Sequence, residues 1–265
     1  MAPSVLEAMQ PYWCTHFMLP GQEHPHAQAV AEALEHAREG LALLAGCEPF
    51  EVVFTGGGTE ANNLAILGAL GGKEPGHLLV TALEHDSVLG AVTSLAPKGW
   101  EIETVPCGHD GIVDPESFAS RIRPDTQLAC VQLANPVLGT IQPVREVADI
   151  CHNRGVSVHC DATQAFGKIQ VNVGQLRADT VAISGHKFYG PKGSGAIYVR
   201  RGLRLSPISY GEPREMGLRP GAENVPACIG LGAAASLAAK CSEDAAKTLS
   251  DLLRQLINGL KSTIN

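Results

Sequence analysis

No stretch of this 265-residue chain approaches the roughly 20 consecutive apolar residues that a membrane-crossing helix needs. The longest candidate, Ala227 to Ala239, is a short run of mostly small residues. Basic clusters are also missing. Twenty Lys and Arg stand against 27 Asp and Glu, a formal net charge of −7, which argues against nucleic acid or an anionic membrane as partner. The eight cysteines (14, 47, 107, 130, 151, 160, 228 and 241) form no C-x-x-C pair. The first residues, MAPSVLEAMQ, show no basic stretch ahead of an apolar one and carry Glu7 early. We therefore expect mostly buried thiols rather than a disulfide framework, and a cytoplasmic protein. The pattern G-x-x-x-x-G-K-[ST] is absent, which excludes a P-loop, and no metal site is expected. What remains is a chain with 45% apolar and 18% charged residues, ordinary for a protein that buries a core.

Helix-like and strand-like segments alternate along it. Val30, Leu34, Ala37, Leu41 and Leu44 recur at helical steps, with Gly46 placed to stop the helix. Short β-rich runs follow at 50–55, 78–82, 102–106, 128–133, 156–159, 180–184 and 196–199. Helical spacing separates most of them, as at Ala61 to Leu70 and Val144 to Cys151. Seven such strands predict an α/β, doubly wound, mostly parallel sheet. Leu203 to Val225, rich in Gly, Pro and Arg, reads as irregular loop. Beyond it, Leu249, Leu252, Leu253, Leu256 and Leu260 form an apolar stripe on a helix, which requires a partner surface. The expected division is an N-terminal segment (1–20), a large domain (21–225) and C-terminal helices (226–265).

Three groups carry the chemistry. Phe54-Thr55-Gly56-Gly57-Gly58-Thr59-Glu60 follows a strand and opens a helix, the arrangement of an anion site: glycines expose backbone N–H groups and the helix start adds partial positive charge. Gly56, Gly58 and Ala61 also fit a loose dinucleotide pattern, with Glu84 on a later strand end, and a turn without ligand is the plain alternative. Asp161 stands at the end of one strand, and Lys187, in Ser184-Gly185-His186-Lys187, directly after another. Ligand sites of such sheets form at the carboxyl ends of strands. A lysine for an imine, an acid for a pyridinium nitrogen and a phosphate cradle are the partners that pyridoxal phosphate needs. Taken singly, Asp161 would be a helix cap and Lys187 a solvated amine. His85 lies at the same edge, where a flat imidazole could stack and move protons; the alternative makes Asp86 a helix cap and His85 a bystander.

The stretches FTGGGTEANNLAI, ALEHDSV, DATQAFGK, SGHKFYGPKGSGAIYVR and GLRPGAENVP together resemble the cysteine desulfurase and selenocysteine lyase family, within the class V aminotransferase-like, fold-type-I pyridoxal phosphate enzymes. The resemblance covers nearly the whole chain. It implies a three-layer large domain around a seven-stranded sheet, with the family's small C-terminal domain largely absent here. It implies conversion of L-cysteine or selenocysteine to alanine, with sulfur or selenium passed to an acceptor protein, as in iron–sulfur cluster assembly, and a homodimer. By the same resemblance Lys187 would bind the cofactor covalently, with His85 stacked on its ring. Asp161 would pair with the ring nitrogen and Gln164 with the phenolic oxygen. Gly58, Thr59, Ser184 and His186 would hold the phosphate. Asn135 would stand at the cofactor.

Two departures from the family pattern stand out. Pro136 replaces a second Asn in Asn135-Pro136-Val137-Leu138-Gly139, and Ala222 replaces a Thr after Arg219-Pro220-Gly221. Each lost polar contact is worth about 1–3 kcal/mol where a partner stays buried and unpaired. None of the cysteines matches the family's sulfur-accepting loop, and Cys160 should point away from its neighbour Asp161 on the strand. Pro136 and Val137 leave open a different class V lyase or epimerase. A catalytically degenerate cofactor-binding homodimer is a further alternative, and a dinucleotide-binding protein the last.

Overall fold

The computed structural model describes residues 1–264, with the side chains of all but 241–244. Seven strands, β1 (Val52–Thr55), β2 (His77–Thr81), β3 (Glu101–Val105), β4 (Thr126–Gln132), β5 (Ser157–Asp161), β6 (Thr180–Ser184) and β7 (Gly195–Val199), form one sheet in the order β1-β7-β6-β5-β4-β2-β3. The helices are α1 (Pro3–Met9), α2 (Pro11–Cys14), α3 (Pro25–Ala45), α4 (Gly58–Leu70), α5 (Asp86–Thr93), α6 (Glu116–Ala119), α7 (Val144–His152), α8 (Val173–Leu176) and α9 (Val225–Thr263). The fold is α/β with a mostly parallel sheet, as the alternation predicts.

The direction of β7 is the exception. It runs antiparallel to both β1 and β6. Residues 185–194, between β6 and β7, hold only a 3-10 turn (Gly185–Phe188) and a loop. That is too short for the helical crossover that a parallel neighbour requires.

Successive strand residues face opposite layers. Val52 and Phe54 join the core shared with α1, α3, α7 and α9, whereas Val53 meets Ala61, Leu64 and Ala65 of α4. Leu79 faces the first layer, and Leu78 and Val80 face α4 and α5 through Ile66, Val88 and Val92. In β5, Val158 and Cys160 belong to the first core. His159 and Asp161 therefore point to the α4 side, which places the site.

Gly46 ends α3 in the left-handed conformation (φ 70°), as its position predicts. Residues 203–224 carry only the short turn 215–217. That loop is pinned rather than loose. Glu215, with φ 45°, accepts from Phe54 N at 2.7 Å and from both terminal nitrogens of buried Arg38 at 2.8 and 2.9 Å. Leu249, Leu252, Leu253, Leu256 and Leu260 are exposed on α9. Cys130, Cys151, Cys160 and Cys228 are buried and Cys14 is exposed, while the side chain of Cys241 lies outside the described residues. No single helix among the described residues is long and apolar enough to cross a membrane.

Candidate active site

The carboxyl ends of β2, β4, β5 and β6 and the bend between β1 and α4 surround a cavity of about 800 Å³. Gly58, Thr59, His85, Asp161, Gln164, Ser184, His186 and Lys187, all expected at the site, line it. Asn135 does not. Its side chain instead closes a local turn, Oδ1 accepting from the backbone N–H groups of Val137 and Leu138 at 2.9 and 2.8 Å, while Nδ2 donates to Leu83 O. The next residue, Pro136, lines the cavity.

The glycine bend is dictated by close approach. Gly57 takes φ 147°, open only to glycine, and a Cβ on Gly58 would stand 2.7 Å from Thr163 Cγ2 and 3.2 Å from Ser184 Cβ. The start of α4 is thereby pressed against the ends of β5 and β6. Glu60 takes the Gly56 N–H at 2.6 Å and is held by Arg219 at 3.2 Å. Ser184 Oγ lies 3.1 Å from His186 Nδ1.

Positive charge gathers here. Lys187 makes no hydrogen bond or ion pair among the described residues, and Lys192 lines the same cavity. Nearby Lys168 donates to Gln164 Oε1 at 3.0 Å. Burial, and then the charge of Lys187, lower the affinity of Lys168 for its proton. Burial followed by the charges of Lys187, Lys192 and Lys168 does the same to His186.

Asp161 is the last residue of β5 and buried, so it is not a helix cap. Its Oδ1 accepts from Thr163 N at 2.9 Å and its Oδ2 from Asn62 Nδ2 at 2.9 Å. His85 is itself the cap of α5, its Nδ1 accepting from Ser87 N at 3.1 Å, and Asp86 is the first helical residue. The cap assigned to Asp86 in the bystander alternative thus belongs to His85. Glu84 lies past the end of β2 and is buried, and its Oε1 accepts from Thr81 Oγ1 at 2.6 Å and from Gln132 N at 2.7 Å. Burial pushes its carboxyl up to about 8, opposed by the Thr81 bond and reinforced by the charge of Asp161. Asn62, Ser87, Thr163 and Lys192 belong to the site and were not singled out from the sequence. The four-residue step from Gly58 to Asn62, one helical turn, is the signal that points to Asn62.

The class-V aminotransferase family matches residues 1–264. This chain belongs to that family. It is 44% identical to cysteine desulfurase IscS 1 of Archaeoglobus fulgidus over 238 residues, 89% of this chain and 62% of that one. It is 37% identical to the mitosomal cysteine desulfurase of Encephalitozoon cuniculi, over 99% of this chain and 62% of the relative. The chain therefore spans about three fifths of the length of these curated relatives. Among solved structures, a NifS-like protein superimposes with a TM-score of 0.95 at 33% identity, covering 99% of this chain and 73% of the other. SspA in complex with cysteine gives 0.86 at 36%, covering 89% and 69%.

The cofactor of this family is pyridoxal phosphate, and the residues present fit it. The bend is a glycine cradle that a single Cβ would fill, three lysines supply positive potential, and Lys187 has no partner among the described residues. Asp161 is a buried acid already satisfied by two donors, which suits it to a cationic ring nitrogen.

Proposed function

We propose that the chain carries the cofactor-binding and reaction centre of a cysteine desulfurase-type enzyme, taking L-cysteine or selenocysteine to alanine. One observation carries the reading: the unpartnered amine of Lys187, the buried Asp161 and the glycine bend converge on a single cavity. When bound, pyridoxal phosphate supplies an aldehyde for that amine and an electron sink for charge at the substrate's α-carbon. The chain's own residues do the rest. The Gly58 N–H, Thr59, Ser184 and His186 would hold the phosphate, and Gln164 would serve the phenolic oxygen. Asp161 would keep the ring nitrogen cationic, His85 would lie against the ring, and Lys187 and His85 would move the proton of the substrate's α-carbon.

Transfer of sulfur to an acceptor protein, a role in iron–sulfur cluster assembly and a cytoplasmic location belong to the same proposal. So does a homodimer, which the exposed Leu249–Leu260 stripe supports. Pro136 favours a second reading: it stands on the cavity wall with no hydrogen to donate, which suits a family member acting on a different amino acid.

The test is direct. Purified chain mixed with pyridoxal phosphate should gain a visible absorbance band that Lys187→Ala abolishes, and, with a dithiol present to supply the two electrons that reduce the freed sulfur, should release alanine and sulfide from L-cysteine. A colourless mixture refutes the proposal. A coloured protein that releases neither product, but transforms another amino acid, favours the second reading.

A further inference from the structure

Asn62 sits one turn into α4, is 1% exposed, and touches three groups. Its Nδ2 lies 2.9 Å from Asp161 Oδ2 and 2.8 Å from Ser87 Oγ, and its Oδ1 lies 3.0 Å from His159 Nε2. A carboxylate only accepts, so the end of the amide facing Asp161 is the NH2 group. Every other hydrogen in the network follows from that. Oδ1 accepts, so His159 donates through Nε2. Burial pushes His159 down to about 4, so its ring is neutral at pH 7 and Nδ1 accepts from the Thr180 hydroxyl 2.9 Å away. On the other side, Ser87 Oγ accepts from Asn62 and turns its own hydrogen toward His85 Nδ1, 2.8 Å away. The Ser87 backbone N–H reaches the same nitrogen at 3.1 Å. Two donors on Nδ1 leave Nε2 as the only nitrogen on which neutral His85 can carry its hydrogen.

We propose that Asn62 is the positioning residue that sets the direction of hydrogen bonding across the site: one buried amide aims a hydrogen at Asp161 and, by turning the Ser87 hydroxyl, adds a second donor to the Ser87 backbone N–H on His85 Nδ1, which keeps the hydrogen of neutral His85 on Nε2. The inference deepens the proposed function, and its meaning for catalysis rests on that reading. Its test does not, because these groups are already linked in the chain without cofactor.

Long-range ¹H–¹⁵N spectra of the cofactor-free 265-residue chain, labelled at histidine, report which ring nitrogens are protonated. His85→Asn and His159→Gln identify the two signals among the ten histidines. The expected result is Nε2–H for both rings. In Asn62→Asp the new carboxyl group shares one proton with Asp161 and has none left for Ser87, so it accepts the Ser87 hydroxyl hydrogen and Oγ offers His85 a lone pair. Protonation at His85 Nδ1 relative to Nε2 should then rise by about tenfold, a change of ~1.4 kcal/mol.

Either ring carrying its hydrogen on Nδ1 in the wild type overturns the proposal, and so does a folded Asn62→Asp with an unchanged His85 ring. Should that variant not fold, Ser87→Ala decides: it removes one of the two donors and should move His85 toward a mixture of tautomers, whereas an unmoved ring refutes the chain. Failure here leaves the absorbance and product assays intact. Failure of those assays leaves the tautomers readable, so the two outcomes are distinguishable.

Discussion

Arg38 pairs with two carboxylates, and burial separates their worth. It meets Glu35 at 3.1 Å, where the carboxylate side chain is 58% exposed, and Glu215 at 2.8 Å, where it is 4% exposed. An exposed pair contributes about 0–1 kcal/mol. Breaking a buried pair by removing one partner costs about 3–5 kcal/mol, because the remaining charge stays buried and uncompensated. Glu215→Ala also strips the acceptor from Phe54 N, which adds about 1–3 kcal/mol if that N–H stays dry. We therefore expect Glu215→Ala to lose at least ~3 kcal/mol, a large part of the 5–15 kcal/mol typical of a domain. Glu35→Ala should lose less than ~1 kcal/mol. Urea denaturation followed by circular dichroism, with stabilities taken by linear extrapolation, measures both. Replacing Arg38 and Glu215 together by Met and Leu should recover part of the loss, since no lone charge remains. Equal costs for the two single variants would refute the argument that burial decides.

Three shorter predictions follow. Gly58→Ala should weaken cofactor binding at least about tenfold and destabilise the chain by about 1–3 kcal/mol, because its Cβ meets Thr163 and Ser184; a titration of the visible band shows whether it does. Gly90→Ala, within α5 with nothing inside 4 Å of the new methyl, should instead stabilise by about 0.5–1 kcal/mol in the same denaturation assay. Glu84, raised from 4.5 to about 8 in the folded chain, keeps a proton there that the unfolded chain has already lost. Its contribution is complete below pH 4.5 and lost as pH rises through about 8. The stability of wild type relative to Glu84→Gln should fall across that window, and a difference that stays flat or rises counts against the assignment.

Much of this architecture is legible in the sequence because its signals are local. The strand 180–184 appears with the boundaries its β-branched pattern predicts, and Gly46 stops α3 where the periodicity ends. The glycine bend and Lys187 announce themselves as short contiguous motifs. The reversal of β7 depends on the length of a loop rather than on strand composition. The roles of Asn62 and Ser87 arise from contacts across the sheet, since Asn62 reaches Asp161 over 99 positions and His159 over 97. No local periodicity records that. Asn135 shows a local contact that a motif does not record. The resemblance places it at the cofactor, and in the chain its Oδ1 accepts from the N–H groups of Val137 and Leu138, closing a turn around Pro136.

The antiparallel pairing of β6 and β7 also affects the order in which the site comes together. Ser184, His186 and Lys187 all lie within one hairpin of twenty residues, 180–199, whose closure needs only local contacts. Asp161 is brought beside that hairpin by the pairing of β5 with β6, whereas the amide of Asn62, which ties Asp161 to Ser87 and so to His85, arrives only when α4 docks on the sheet. Detachment of α4 would dismantle the anion cradle and silence Asp161 while the hairpin carrying the reactive amine stays formed. A molecule bridging both parts would act as a staple, and slowed amide exchange in α4, with little change in 180–199, would be its mark.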